Sequence, residues 1–445
     1  MIIKDMLKNN KTVKMLFQNK QSFLFITTLL LLVAAALWVP IKPQVHQEFY
    51  TPTLLNGIQP RALIGTLVNL LKIGPLGYSI IRYLALFIWL YLILKYLCDA
   101  LLMQSEIPKK NMIYFLILGF IFAFSTPVFM TFRPVGFLDI IPSCLEIISV
   151  VLLQTIKKRS LWLTISMVTT LLSVAVMTHE KSIFDIAIIA TWGLWRFGPW
   201  KSILIFSPTA LISGIFFQLI ANKAAYAGVG YALSPTGYFT ILQSGLHFFL
   251  TESLNVGAII FGGGALWICY FIFCKGFISS EKSTFRKITC FFLVFALGLL
   301  TFAPLLIAND TNRLIGLIWL PTFLMMGEID LHKTLDRFNF SIWAWGLALY
   351  QLLIPPSLIY INGAVPYNCY SKFLWKFLPN MDGVINIQVG PWGIFAMRRP
   401  DLIDDLHCGV LPLLLKTLGM IVILSTISFY LKKYVLIKNS PLPLN

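Results

Sequence analysis

Ser22-Phe-Leu-Phe-Ile-Thr-Thr-Leu-Leu-Leu-Leu-Val-Ala-Ala-Ala-Leu-Trp-Val-Pro40 carries no charged residue along its whole length. At about 1.5 Å of rise per residue, a helix of this length covers a hydrocarbon layer of about 30 Å. Lys4, Lys8, Lys11, Lys14 and Lys20 precede it. Trp38-Val39-Pro40 lacks the small-residue pattern of a signal-peptide cleavage site, so the stretch reads as a start-transfer helix that stays in the chain. Comparable apolar runs recur to the end of the 445 residues, which are 58% hydrophobic and 12% charged. No soluble core hides that much apolar surface. The alternating pattern of an outer-membrane barrel is absent. The expected fold is an all-α, polytopic transmembrane helical bundle in one integral membrane domain, residues 1–445.

Twelve crossings are expected, near 22–40, 80–101, 112–131, 141–156, 160–177, 183–195, 202–220, 254–274, 288–307, 314–327, 341–361 and 410–431. Lys109-Lys110, Lys157-Lys158-Arg159, Arg196 with Lys201, Lys275 through Lys287, Lys333 with Arg337, and Lys432-Lys433 then share the side of the basic N-terminus. The positive-inside rule makes that side, and both termini, cytoplasmic, so the chain is expected to be multi-pass in the cell inner membrane. The net charge of +17 therefore needs no nucleic-acid partner. Glu48, Asp139, Glu180, Asp185, Glu252, Asp310, Asp382, Asp401, Asp404 and Asp405 fall on the other side. Acids contribute little to topology, so their concentration there points to chemistry or partners on the outer face.

Three outer loops are long, about 41–79, 221–253 and 362–409. In the first, Arg61 to Lys72 is too short to span and reads as an interfacial helix. Tyr226, Tyr231 and Tyr238 suit the second to the headgroup region. Cys369 and Cys408 bracket the third and are candidates for a disulfide in an oxidising compartment. The other five cysteines, Cys98, Cys144, Cys269, Cys274 and Cys290, read as inert packing residues. No Cys/His spacing suggests zinc, and dependence on a divalent metal is left open.

Ionisable groups at membrane depth are costly, and structural ion pairs are their commonest bland explanation. Glu48, in Val45-His-Gln-Glu-Phe-Tyr50, is a candidate general base or a solvated loop acid. Asp139 and Glu146 are seven apart, so one helical face would carry both, and Glu146 would need Arg133 or Arg82 as partner. Thr178-His179-Glu180-Lys181 forms a short outer hairpin with Asp185 a turn below. His179 can shuttle a proton and Lys181 can neutralise a diphosphate, although hairpin tips are commonly polar. Asp310 and Arg313, in Asn309-Asp-Thr-Asn-Arg313, would sit side by side at a helix start, where Asp310 is equally an N-cap. Arg398 and Arg399 precede Pro400-Asp401 and suit a sugar or phosphate, or a solvated helix start.

Carboxylates for hydroxyl activation beside single Arg and Lys residues, all next to lipid, match the features of a polyprenyl-linked sugar. The stretch from Glu48 through Lys72 and the Asp310–Arg313 hairpin resemble the multispan C-type glycosyltransferases and the bacterial O-antigen or polysaccharide polymerases. The resemblance implies a catalytic base at Glu48 and lipid-phosphate contacts from Arg61, Lys181 and Arg313. From their own placement, Asp310 and Asp139 are further catalytic candidates, and Arg133, His179, Glu180, Arg398 and Arg399 complete the substrate-binding set. The family's Asp-Asp or Glu-Asp pair is replaced here by Gln47-Glu48, and no soluble domain is expected after the last span. The implied partners are a polyprenyl-linked sugar donor, a glycan acceptor, membrane lipid and other glycan-assembly membrane proteins. A flippase or ion-coupled carrier is the alternative, for which Gly262-Gly263-Gly264 and Pro355-Pro356 are the sequence argument. A noncatalytic assembly subunit is the third class.

Overall fold

The computed structural model describes residues 20–38, 62–102, 108–132, 140–156, 160–179, 181–221, 263–303, 316–353, 385–388, 394–397 and 410–439. They form α1 (Lys20–Trp38), α2 (Ala62–Leu70), α3 (Gly74–Leu102), α4 (Lys109–Ala123), α5 (Thr126–Phe132), α6 (Ile140–Gln154), α7 (Leu161–Thr178) and α8 (Ser182–Phe197). After these come α9 (Pro199–Ala221), α10 (Ala265–Ser280), α11 (Thr284–Phe302), α12 (Trp319–Met326), α13 (Leu331–Arg337), α14 (Phe340–Leu353) and α15 (Val410–Asn439). The architecture is helical. α1, α3, α7 and α11 are long and apolar enough to cross a membrane. Trp200, Phe285, Leu76, Trp162 and Trp345 are among many large apolar side chains left exposed, a surface that suits lipid rather than water.

The helix boundaries follow local chemistry. Gly198, at φ 82°, ends α8 and Pro199 opens α9, the usual division of labour between these two residues. Asp330 caps α13 by accepting from Lys333 N. The crossing expected near 112–131 divides into α4 and α5. Pro127 has no N–H for the Ala123 carbonyl, and Ser125 Oγ donates instead to Phe122 O. Within the crossing expected near 254–274, Gly264 adopts φ +54° just ahead of α10; residues 254–262 lie outside the described residues. The helix expected from Arg61 to Lys72 is α2, packed on α3 and α7 with Ile64 and Val68 inward and Leu67 and Leu70 exposed. The all-helical class holds, with one short addition. Ile385–Gln388 and Ile394–Met397 pair as an antiparallel hairpin within the third expected loop. Ile385-Asn-Ile-Gln388 alternates β-branched and polar residues, and Gly390-Pro391 supplies a turn signal between the two strands.

α3 is the central element. Its buried residues Arg82, Leu86, Trp89, Ile93, Leu97 and Leu101 recur every three or four positions along 29 residues, which lets it meet α1, α2, α4, α5, α6 and α13. Trp89 stands edge-on to Trp319 at 5.3 Å between ring centroids. A second buried tie is Gln351 of α14, whose amide donates to Phe124 O and accepts from Ala265 N, joining the ends of α4 and α10.

Polar ties mark one end of the bundle. Lys20 at the start of α1 pairs with Asp99 at the end of α3, and Lys110 at the start of α4 pairs with Asp336 of α13. Arg196 at the end of α8 pairs with Glu328 after α12, and Glu328 also accepts from Trp192 Nε1 at 3.0 Å. Arg337 donates to Ser279 at the end of α10. The starts of α3, α6 and α8 and the end of α7 consequently lie toward the opposite end. Burial pushes the Asp336 carboxyl up, but bonds from Lys110 and Tyr114 and the charges of His332 and Lys110 outweigh it, so it titrates below its ordinary value.

Trp89→Ala is expected to cost about 3–5 kcal/mol, the range for emptying a buried aromatic site, read from unfolding of the purified protein. Asp336 has a depressed folded-state value, so its stabilisation is present above the unfolded value of about 4 and is lost as pH falls through the folded one. Asp336→Asn should therefore flatten the acid-side fall in Tm and leave a lower Tm at neutral pH.

Candidate functional site

Three segments meet at the end of the bundle opposite these ties: the middle of α6, the end of α7 and the first turn of α8. The α7–α8 hairpin is tight because His179 N donates to Ala175 O at 2.9 Å and Ser182 N donates to His179 O at 3.1 Å. His179 folds onto its own turn, its Nδ1 accepting from Lys181 N at 3.2 Å. That leaves Nε2 to carry the ring proton. Of the two readings of this hairpin, a functional group and an ordinary polar tip, the burial of its side chains speaks against a solvated tip. His179 and Lys181 are buried, and Thr178, Ser182 and Asp185 have no exposed surface. The hairpin turns inside the bundle because α6 and α7 pack along each other and α8 closes against both.

Glu146 occupies the centre. It is fully buried, and its carboxyl faces the Asp185 carboxyl, the Lys181 ammonium and the Ser182 hydroxyl. None of these approaches closes to a hydrogen bond of good geometry on either Glu146 oxygen. Ser143, one turn before Glu146 on the same face of α6, is likewise buried with its hydroxyl unbonded. The sequence reading offers Arg133 or Arg82 as the partner of Glu146; Lys181 holds that place. Arg82 donates to Thr131 O at 2.6 Å and lies 5.7 Å from the Tyr78 ring centroid.

The chemistry of this group follows from burial. Charges in an apolar interior persist when paired, and their interactions strengthen as water is excluded. A carboxylate with open acceptor positions can take a proton from a hydroxyl, and a neighbouring lysine can stabilise charge that develops nearby. Among the described residues no cluster of three His, Cys, Asp or Glu residues could hold a metal ion.

Of the residues singled out in the sequence, His179 and Lys181 are brought together with Asp185. Glu48, Arg61, Arg133, Asp139, Glu180, Asp310, Arg313, Arg398, Arg399, Cys369 and Cys408 lie outside the described residues. α6 begins at Ile140, so the expected helical pairing of Asp139 with Glu146 also falls outside them. Cys98, Cys144, Cys269, Cys274 and Cys290 are free and buried, as expected of packing residues. Glu146 stands at the centre of this cluster; in the sequence a structural ion pair and a catalytic role are equally open to it. Its signal was visible: it is the sole acid between Asp139 and Glu180, inside an apolar run. Ser182 carried no such signal.

No family model, curated protein or solved structure matches this chain.

Lys181→Met removes the cation facing Glu146, and the loss expected for breaking a buried pair is about 3–5 kcal/mol. Glu146→Gln in the same chain should recover part of it, giving a coupling energy in a double-mutant cycle of unfolding free energies. Additive effects would show that the two groups do not interact.

Proposed function

We propose that this chain is a multi-pass integral membrane glycosyltransferase or polysaccharide polymerase. In this reading it crosses the inner membrane twelve times with both termini in the cytoplasm. The end carrying Lys20, Lys110 and Arg196 faces the cytoplasm, and the cluster of Glu146, Lys181 and Asp185 lies toward the outer face. The donor is a sugar on polyprenyl phosphate, and the acceptor is a surface glycan of the O-antigen or capsule type. The observation that carries the reading is a fully buried carboxyl group facing a lysine, a second carboxyl and a hydroxyl, in a bundle whose exterior suits lipid.

The reaction that suits these groups is a single displacement. A carboxylate accepts the proton of the acceptor hydroxyl, the acceptor oxygen forms the new bond to the anomeric carbon, and the bond to the phosphate oxygen breaks. The phosphate leaves with the electron pair, and a cation stabilises its charge. Glu146 joins Glu48, Asp139 and Asp310 as a candidate base. Lys181 joins Arg61, Arg133 and Arg313 as a candidate phosphate partner, with His179, Glu180, Arg398 and Arg399 as further contacts. A flippase or ion-coupled carrier is the second reading. It is favoured by the break between α4 and α5 and by the positive-φ start of α10 at Gly264, both held by Gln351.

Surface polysaccharide from a deletion strain tests the proposal. Loss of a branch sugar is expected for a transferase, and chains of a single repeat for a polymerase. Glu146→Gln should reproduce the defect at wild-type protein levels. Unchanged glycan would refute the enzymatic reading, and accumulation of complete lipid-linked units on the cytoplasmic leaflet would favour the flippase.

A further inference from the structure

Tryptophan is distributed unevenly over this bundle. Trp89, Trp192, Trp267 and Trp319 are buried, and Trp195 packs edge-on against Phe277. The four exposed tryptophans among the described residues, Trp162, Trp200, Trp343 and Trp345, all fall in the first two turns of α7, α9 and α14, each 64 to 80% exposed. These three helices begin at the end of the bundle that holds the polar ties. α7 follows α6, whose Gln154 side chain reaches Gly327 beside Glu328. α9 follows the Arg196 that pairs with Glu328. α14 follows Asp336, and its Phe340 stands edge-on to the Tyr114 that donates to Asp336. Farther along, the large exposed side chains carry no polar atom, as with Leu211 and Ile215 on α9 and Leu349 on α14.

We infer that these tryptophans form a collar seated in the headgroup region on one side of a phospholipid bilayer, with the Glu146 cluster enclosed at hydrocarbon depth beyond it. An indole joins a large apolar ring to one N–H donor, a combination that partitions to the boundary between hydrocarbon and water. At about 1.5 Å of rise per residue the four lie within about 8 Å of their helix starts, close to the thickness of one headgroup region. Cations share that level: Lys201 is exposed next to Trp200, and Lys157-Lys158-Arg159 precede Trp162. A headgroup region surrounds the bundle, so indoles and cations need a common level and not a common face. The tryptophans stand on separate flanks, since α7 and α9 pack on each other while α14 packs on α4, α10 and α13. A protein partner would cover one flank. The depth of the cluster follows from α8 and α9, which fold back on each other across Gly198, with Gly193 against Ser202 and Phe206. Asp185 precedes Gly198 by as many residues as Leu211 follows it, so the two share a level. That level is roughly 17 Å inward of Trp200, well inside a hydrocarbon layer of about 30 Å.

Fluorine NMR of the full chain, labelled with fluorotryptophan and held in phosphatidylcholine nanodiscs, tests this. Trp162→Phe, Trp200→Phe, Trp343→Phe and Trp345→Phe assign the four resonances, and because the positions are exposed these variants keep the fold. Each resonance is expected to broaden about threefold more with a nitroxide on the lipid headgroup than with one near the end of the acyl chain, two labels separated by about 15 Å in depth. The resonance added by Leu211→Trp should show the reverse order. Broadening of the four by a water-soluble paramagnetic chelate alone would overturn the membrane seat. Broadening by no probe would show that protein covers these positions, and a stronger response to the chain-end label would sink them below the headgroups. A headgroup response from Leu211→Trp would remove the Glu146 cluster from the hydrocarbon layer. Position alone is read, so the result holds for an enzyme or a carrier.

Discussion

The interior of this bundle is lined by apolar side chains, and that medium dictates where its charges stand. An ionisable side chain without a counterpart is intolerable in an apolar medium. Two groups of charges show this. Those at one end are pinned between helix termini, as in Lys20 with Asp99, Lys110 with Asp336 and Arg196 with Glu328. Those toward the other end converge on Glu146, where Lys181 faces two carboxyl groups. Between them α3 contributes a nearly continuous apolar stripe centred on Trp89, so the two groups are kept apart by packing.

The two groups differ in kind. The end pairs are partly exposed, and pairs of that sort contribute modestly to stability while fixing which helix ends adjoin. The Glu146 group is fully enclosed, and its carboxyl oxygens and the Ser143 hydroxyl remain unbonded. Two carboxyl groups enclosed with one lysine hold one another through charge, so this group is tied together from two helices where the end pairs tie single termini.

The helical class was legible because hydropathy acts locally: each apolar run declares itself without reference to its neighbours, and α1 coincides with the uncharged stretch from Ser22. The breaks were less legible. Pro127 and Gly264 are visible as residue types, but only the position of Gln351, more than two hundred residues from Phe124, fixes where the chain is satisfied after it leaves the helix. The site was legible in part for the same reason. His179 and Lys181 stood out by their consecutive charges, whereas their burial depends on α6, which sequence spacing could not bring to the hairpin. Glu146 was read beside Asp139 because the two are seven apart, while its observed partners come from a different helix. Periodicity orders residues along one helix and says nothing about which helix lies opposite.

α8 connects the two groups and bears on the choice between enzyme and carrier. Its first turn carries Ser182 and Asp185 into the Glu146 cluster, and its last turn is held by Trp192 and Arg196 on Glu328. Between these anchors Ile188 and Ile189 are buried. A helix fixed at both ends keeps a carboxylate at a constant position relative to α6, which suits chemistry that depends on placing an acceptor hydroxyl within hydrogen-bond reach. Alternating access instead needs an element whose two ends exchange partners. The elements best suited to that exchange are α4, α5 and α10, joined through a single amide at Gln351. If the chain rearranges during its work, the movement belongs around that amide, and the Glu146 cluster belongs to the part that stays still.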